Sequence, residues 1–259
     1  MVKGFVPTMG ALHEGHASLI RAARKECDEV VVSVFVNPLQ FNDKSDLDKY
    51  PRTPKEDEAI AVEAGATKVW FPTYEEIYPG NIELIQPGPV GDLYEGAFRP
   101  GHFAGMLTVV RRLFDLVKPD KAFFGEKDFQ QLIFIKEMAE KRNPPVGILA
   151  VPTQRDSDEV ALSSRNIYLS SDQRNVAKLI PDSLKQAVLL ANRGKSKEEI
   201  INYVKTCIKE SDLIELDYVE ILSNDLREIK LNEIGRILIA AKLGETRLID
   251  NMPIMLRQK

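Results

Sequence analysis

Residues 29–36 read Glu-Val-Val-Val-Ser-Val-Phe-Val, and this stretch decides the fold class. The run is apolar and rich in β-branched residues, and its apolar and polar positions do not alternate. A strand that helices cover on both faces has no solvent side, so a continuous apolar run is typical of a buried strand in a parallel sheet. The stretch therefore predicts such a strand.

Further apolar runs alternate with helical patterns over the first two thirds of the chain. The predicted strands are residues 4–7, 29–36, 68–72, 121–125 and 146–152. The predicted helices are residues 15–26, 54–64, 103–117 and 127–141. Strand–helix alternation at this spacing predicts an α/β fold with a doubly wound parallel sheet.

The pattern changes from about residue 170 onward. Two helical patterns, residues 171–192 and 196–210, precede strand-like runs at residues 218–222, 236–241 and 246–249. This order of elements indicates a smaller α+β domain. We therefore expect two domains, residues 1–162 with the parallel sheet and residues 163–259 with the α+β arrangement.

Composition limits the classes of partner and compartment. The 259 residues carry a net charge of −4 and contain no run of five basic residues, which argues against a nucleic-acid partner. No stretch approaches the length and hydrophobicity of a transmembrane helix, and the N-terminus lacks an apolar signal core. The two cysteines, Cys27 and Cys207, suit a reducing compartment, so we expect a cytoplasmic protein without a membrane partner.

Unusual polar clusters follow three of the predicted strands. Residues 8–16 follow the first strand, residues 37–41 follow the second, and residues 126–128 follow the fourth. In an open parallel sheet, the carboxyl ends of the strands form the ligand-binding crevice. Residues that are scattered over the first half of the chain should therefore meet in one cleft.

The strongest of these clusters is His13-Glu14-Gly15-His16, which contains two of the three histidines. A spacing of three at the start of a helix places both imidazoles on one side, beside backbone N–H groups that attract anions. This arrangement suits a triphosphate whose α-phosphorus is attacked. Two alternatives stay open: a metal site, for which only His102 is left as a further imidazole, and a structural cap of the helix.

Two other clusters also permit phosphate binding. In Gly125-Glu126-Lys127-Asp128, the lysine can reach phosphate oxygens, although a solvated helix start would look the same. In the segment 162–166, Leu-Ser-Ser-Arg-Asn, two hydroxyls and a guanidinium can hold phosphate oxygens, although a capped turn is an equal alternative.

The combination of motifs resembles the pantothenate synthetase family of pantoate–β-alanine ligases. The motifs are PTMGALHEGH at residues 7–16, SVFVNPLQF at 33–41, GEKDFQQ at 125–131 and LSSRN at 162–166, with RPGHF at 99–103 and RLIDN at 247–251. The resemblance covers essentially the whole chain and implies a Rossmann-like, nucleotidyltransferase-type first domain that binds ATP and pantoate. It also implies a helix ahead of the first strand, whereas this chain reaches its first predicted strand at Gly4.

The resemblance implies a role for individual residues. It makes His16 the catalytic proton donor and gives His13 and Lys127 the stabilisation of phosphate charge. It assigns pantoate to Gln40 and Gln131, β-alanine to Gln40, and a Mg²⁺ contact to Asp128. The residues implied in ATP binding are Met9, Gly10, Ala11, Leu12, His13, Glu14, Gly15, His16, Gly125, Glu126, Lys127, Asp128, Gln154, Leu162, Ser163, Ser164 and Arg165. Leu162 replaces the usual methionine of the family, and Gln154 replaces a residue that is commonly small and apolar.

The resemblance further implies a two-step reaction and a homodimer. Pantoate and ATP, with Mg²⁺, give pantoyl adenylate and pyrophosphate, and β-alanine then displaces AMP to form pantothenate, a precursor in the coenzyme A pathway. Two rivals remain at this point: a nucleotidyltransferase that retains its adenylylated product, and a nucleotide-binding module without catalysis. A class I aminoacyl-tRNA synthetase is disfavoured because the C-terminal part leaves little room for tRNA recognition.

Overall fold

The structure is a computed structural model that describes residues 1–142 and 144–258. The chain divides into two compact units, Met1–Gln154 and the residues from Arg155 onward. The first unit contains the parallel sheet, and the second contains a separate antiparallel sheet.

The first unit is built on five parallel strands: β1 (Lys3–Thr8), β2 (Glu29–Val34), β3 (Lys68–Trp70), β4 (Lys121–Gly125) and β5 (Gly147–Val151). Their order in the sheet is β3-β2-β1-β4-β5, and all neighbouring pairs are parallel. The chain runs outward from β1 to β3 on one side and from β4 to β5 on the other. The strand order therefore reverses between β1 and β4, which is the point where ligands bind in open α/β sheets.

Helices follow the strands of this sheet. They are α1 (Glu14–Glu26), α2 (Lys44–Lys49), α3 (Pro54–Glu63), α4 (Tyr74–Ile77), α5 (Glu95–Phe98), α6 (His102–Val117) and α7 (Phe129–Glu140), with 3₁₀ turns η1 (Pro38–Gln40) and η2 (Pro89–Asp92). One core cluster joins α1, α3 and the sheet through Ile20, Ala61, Val6, Val32 and Phe123, all of them buried. This packing fixes the starts of α1 and α3, where polar side chains meet.

Helix α6 packs closely against η1, the turn that follows β2. A Cβ atom at Gly105 would lie 2.0 Å from the carbonyl oxygen of Leu39, so only glycine fits at this position. The side chain of Asn37 donates a hydrogen bond of 3.1 Å to the carbonyl oxygen of Gly105. These contacts fix the position of Gln40, the last residue of η1.

The second unit contains η3 (Ser164–Tyr168), α8 (Ser171–Ala177), α9 (Leu179–Asn192) and α10 (Lys197–Ile208), followed by β6 (Glu215–Ser223), β7 (Ile234–Leu243) and β8 (Thr246–Met255). The three strands form an antiparallel sheet in the order β6-β7-β8. Its core contains Leu184 and Ile200 from the helices and Ile221, Ile237 and Leu248 from the strands.

The predicted fold class is confirmed: a parallel sheet flanked by helices, with a small α+β unit after it. The prediction of one helix over residues 171–192 was wrong, because α8 ends at Ala177 and α9 begins at Leu179. Pro181 has no backbone N–H to donate to the carbonyl group of Ala177, so the helical hydrogen-bond ladder is interrupted there. Pro181 is tolerated because it lies in the first turn of α9.

The helices of residues 1–142 and 144–258 include none that combines the length and apolar character needed to cross a membrane.

Candidate active site

The loop between β1 and α1, residues 9–13, turns through an uncommon backbone conformation. Gly10 has a φ of 86° and Ala11 a φ of 49°, so two consecutive residues lie in the left-handed region. A non-glycine residue in this region costs on the order of 1–3 kcal/mol and persists only where surrounding contacts impose it. The N–H groups of Ala11 and Leu12 donate to the carboxylate of Asp57 on α3. The carboxylate of Asp57, which lies outside the loop, therefore stabilises the loop conformation.

His13 and His16 form a reciprocal cap at the start of α1. The N–H group of Gly15 donates to Nδ1 of His13 over 3.1 Å, and the N–H group of His13 donates to Nδ1 of His16 over 3.3 Å. Because each Nδ1 accepts a hydrogen bond, the proton of each neutral ring must be on Nε2. The structural cap and a site of hydrogen-bond donors are therefore compatible, since they use different nitrogens of the same rings.

Burial and a nearby cation keep both rings neutral. Burial and the Lys127 ammonium, partly opposed by Asp128, together lower the pKa of His13 to about 4. Burial, with smaller contributions from His13 and Lys127, lowers the pKa of His16 to about 3. Lys127 follows β4, whereas the histidines follow β1, so the ammonium acts on both rings across the switch point of the sheet.

The segment after β4 presents a cation and a carboxylate at the start of α7. The N–H group of Glu126 donates to the carbonyl oxygen of Val151, which holds the segment against the end of β5. Asp128 is the N-cap residue of α7 and is exposed, and within the described chain its side chain makes no capping hydrogen bond. Asp128 is therefore placed to interact outside its own helix.

Two adjacent glutamines in α7 have different surroundings. Gln130 is buried and makes hydrogen bonds to the backbone of Glu95, Val90 and Leu93, so it has a structural role. Gln131 is only half-buried. Of the two, Gln131 is the more accessible to a ligand.

The segment after β2 holds the amide of Gln40 next to the β1–α1 loop. Nε2 of Gln40 lies 3.0 Å from Sδ of Met9, and its Oε1 accepts a hydrogen bond of 3.1 Å from Asn37. Oδ1 of Asn37 in turn accepts a hydrogen bond of 2.8 Å from the hydroxyl of Tyr78. Burial raises the pKa of Tyr78, so this hydroxyl stays a donor. The predicted pantoate residue Gln40 is thus adjacent to the predicted ATP residue Met9.

His102, the third histidine, supports the same segment from α6. One ring nitrogen, Nδ1, lies 2.8 Å from the carbonyl oxygen of Gln40, and the other, Nε2, lies 3.1 Å from the Arg99 guanidinium. A carbonyl can only accept and a guanidinium can only donate, so His102 has its proton on Nδ1. Its tautomer is the opposite of that of His13 and His16.

Asp57 and Tyr78 were not predicted from the sequence, and His102 was considered only as a further imidazole for a metal site. RPGHF, at residues 99–103, was a sequence signal for His102. Asp57 and Tyr78 had no such signal, because each is an ordinary residue whose partners are distant along the chain.

The remaining predicted ATP residues lie in the chain from Gln154 onward. The side chain of Gln154 donates to the carbonyl oxygen of Pro152, which is compatible with a ligand contact through backbone. In the second unit, Ser163 caps η3 by accepting from the N–H group of Arg165, and Asn166 donates to the carbonyl oxygen of Ala161. The capped turn is therefore present, and the assignment of the segment 162–165 to ATP stays a prediction.

A protein-only metal centre is not found in the described part of the chain, where no group of three or more His, Cys, Asp and Glu side chains could hold an ion. A magnesium ion that accompanies a nucleotide needs only one or two carboxylates, because phosphate oxygens and waters complete its coordination. The exposed carboxylate of Asp128 fits that requirement.

Comparisons with known proteins agree over nearly the whole chain. Residues 2–253 match the family model described as pantoate-beta-alanine ligase. Proteins named pantothenate synthetase from Nocardioides sp. and Mycolicibacterium smegmatis are 47% and 46% identical, with 98% and 96% of this chain and 79% of each relative covered.

Solved structures give the same result. A pantothenate synthetase from Thermus thermophilus has a TM-score of 0.91 and 42% identity, with 97% of this chain and 93% of that chain covered. A pantoate-beta-alanine ligase from Francisella tularensis, complexed with Beta-gamma ATP and Beta-alanine, has a TM-score of 0.81 and 38% identity, with coverage of 97% and 89%. The two sheets and the paired histidines agree with these matches. The chain therefore belongs to the pantoate–β-alanine ligase family.

Proposed function

We propose that this protein joins pantoate to β-alanine at the expense of ATP and passes through a pantoyl adenylate. Membership of the family supports the overall reaction. The observation that carries the adenylation step is the position of two neutral imidazoles and the Lys127 ammonium together at the switch point of the sheet. Two hydrogen-bond donors and one cation at the positive end of a helix suit the binding of a nucleoside triphosphate.

In the first step, the carboxylate of pantoate attacks the α-phosphorus of ATP. A bond forms between a carboxylate oxygen and phosphorus, the bond to the bridging oxygen breaks, and pyrophosphate leaves with the electron pair. Negative charge builds on the phosphate oxygens during this step, so donors that already point at them lower the barrier. We assign this role to the Nε2–H groups of His13 and His16 and to the ammonium of Lys127.

The low pKa of both histidines bears on the role of His16. A ring whose pKa is about 3 is not protonated near neutral pH, so it has no second proton to give. A neutral Nε2–H group can still donate a strong hydrogen bond to an oxygen that gains charge. We therefore propose that His16 stabilises the leaving pyrophosphate by donating a hydrogen bond and not by transferring a proton.

In the second step, the free amine of β-alanine attacks the activated carbonyl carbon. The new C–N bond forms, and the bond between the carbonyl carbon and the bridging oxygen breaks. AMP leaves with that oxygen, and the nitrogen releases one proton to solvent to become the amide. We assign Gln40 to both substrates because its amide lies beside Met9 of the ATP loop and is fixed by Asn37. We assign pantoate also to Gln131, whose neutral amide can bind a carboxylate without suppressing its nucleophilicity as a close arginine would.

Several finer points belong to the same proposal. Mg²⁺ would neutralise phosphate charge, and Asp128 would contribute a carboxylate to it. Met9–Leu12, Glu14, Gly15, Gly125, Glu126, Gln154 and the segment 162–165 would complete the ATP contacts. In domain terms, residues 1–162 would bind ATP and pantoate, with residues 163–259 as the smaller domain. A homodimer and a cytoplasmic location complete the proposal, the latter supported by the cysteine usage.

Pyrophosphate exchange tests the proposed order of steps. Labelled pyrophosphate should enter ATP when pantoate is present and β-alanine is absent, because the first step is complete without the amine. Omission of pantoate is the control and should abolish the exchange. If exchange needed β-alanine, the two-step order would be wrong. A stable adenylylated product, with neither AMP nor an amide formed after β-alanine is added, would favour a nucleotidyltransferase.

The tautomers of the three histidines give a second prediction. In ¹⁵N-histidine-labelled protein, NMR should show His13 and His16 protonated on Nε2 and His102 protonated on Nδ1. Because the pKa values of His13 and His16 are about 4 and 3, both rings should stay neutral as the pH falls from 7 to about 5. Assignment uses single His→Gln variants. Titration of either ring near its ordinary pKa of about 6.5 would contradict the donor role.

The third prediction separates the pantoate contact from the ATP contact. Gln131→Ala should weaken pantoate binding by about 1–3 kcal/mol, the usual cost of an unpaired buried polar group. ATP affinity, measured by calorimetry without pantoate, should barely change. Glu137→Gln, at an exposed position of the same helix, is the matched control. Equal losses of affinity for pantoate and ATP would show that Gln131 belongs to a different contact.

A further inference from the structure

Asp57 is a carboxylate that is buried inside the first unit. Its side chain is 1% exposed, although charged groups are almost never fully buried without partners. Oδ1 accepts a hydrogen bond of 2.7 Å from the N–H group of Leu12, and Oδ2 accepts one of 3.2 Å from that of Ala11. These donors lie 45 and 46 positions away along the chain. The contact therefore links α3 to the β1–α1 loop.

The loop needs an acceptor at this place. The left-handed backbone at Gly10 and Ala11 turns two consecutive N–H groups toward α3. Leu12 is itself buried, so its N–H group could not pair with water if the carboxylate were removed. A buried donor without a partner is unfavourable, and the loop would relax toward a conformation that exposes it.

The packing at Gly10 shows how closely the two segments fit. A Cβ atom at Gly10 would lie 2.9 Å from Oδ2 of Asp57, a separation that Cβ atoms essentially never show. The glycine therefore serves two purposes, since it adopts the positive φ and lets the carboxylate approach the backbone. His13 follows this contact directly, and its ring centroid lies 4.2 Å from that of His16 at the start of α1.

We propose that Asp57 is a positioning residue for the adenylation step. By holding the β1–α1 loop, Asp57 orients the ring donors of His13 and His16. The inference rests on the proposed function, because it concerns the same reaction. Asp57 also accepts a hydrogen bond of 3.1 Å from the hydroxyl of Thr53, the N-cap residue of α3. One carboxylate thus links the start of α3 to the loop after β1.

Two variants of Asp57 test this role in a graded way. An asparagine can accept from only one of the two N–H groups, because its NH₂ group would face the other donor. An alanine leaves both N–H groups without an acceptor. The misplacement of catalytic groups by about 1 Å can reduce a rate about 10²-fold. We expect pyrophosphate exchange to fall about 10-fold in Asp57→Asn and about 10²-fold in Asp57→Ala, mainly in kcat.

The control and the second readout separate positioning from stability. Glu58→Gln removes a charge from an exposed neighbour on the same helix and should retain the exchange rate. In Asp57→Asn, the ¹⁵N signals of His13 and His16 should show mixed tautomers well below the melting temperature, while those of His102 stay unchanged. If Asp57→Ala does not fold, the asparagine variant decides.

The outcomes distinguish the two proposals. An Asp57→Asn protein with a normal exchange rate and normal His13 and His16 signals would overturn the positioning role, even if its melting temperature were lower. A wild-type protein without pantoate-dependent exchange would instead overturn the proposed function. The histidine signals of Asp57→Asn would then still test whether the carboxylate orients the rings.

Discussion

The backbone N–H groups of His13 and Gly15 donate to the Nδ1 atoms of two histidines, and the position of the proton on both rings depends on this pair of hydrogen bonds. They force both protons onto Nε2 and leave two neutral donors in place of two cations. Neutral rings can lie beside Lys127 without like-charge repulsion, and burial together with Lys127 keeps their pKa values low. One cation and two dipolar donors therefore share a site in which three cations would repel one another strongly.

The sheet topology explains how these groups meet. Reversal of strand order between β1 and β4 brings the paired histidines and Lys127 to the same edge, and β2 adds Gln40 from the other side of β1. Each loop is then fixed by a buried polar contact: Asp57 for the first, and Asn37 with Tyr78 for the second. The strands bring the loops together, and these contacts determine which atoms the loops present.

Sequence reasoning predicted what is encoded locally. The continuous apolar run at residues 29–36 indicates by itself a strand that is covered on both faces, and the two histidines lie within four residues of each other. Asp57 could not be predicted, because an acid in the first turn of a helix usually faces solvent and interacts with the helix dipole. The break between α8 and α9 was missed although Pro181 signals it, because a proline in the interior of a helical pattern interrupts the hydrogen-bond ladder. The histidine tautomers required backbone geometry.

The central claim is that the pantoate carboxylate becomes bonded to the α-phosphorus of ATP, and an isotope measurement tests it most directly. Pantoate that carries oxygen-18 in both carboxylate positions is converted with unlabelled ATP and β-alanine. The oxygen-18 content of each product is then measured by mass spectrometry. The account predicts that one labelled oxygen is transferred to AMP and the other remains in the amide carbonyl of pantothenate. Release of unlabelled ADP in place of AMP, with the label in inorganic phosphate, would indicate an acyl phosphate and contradict an adenylate.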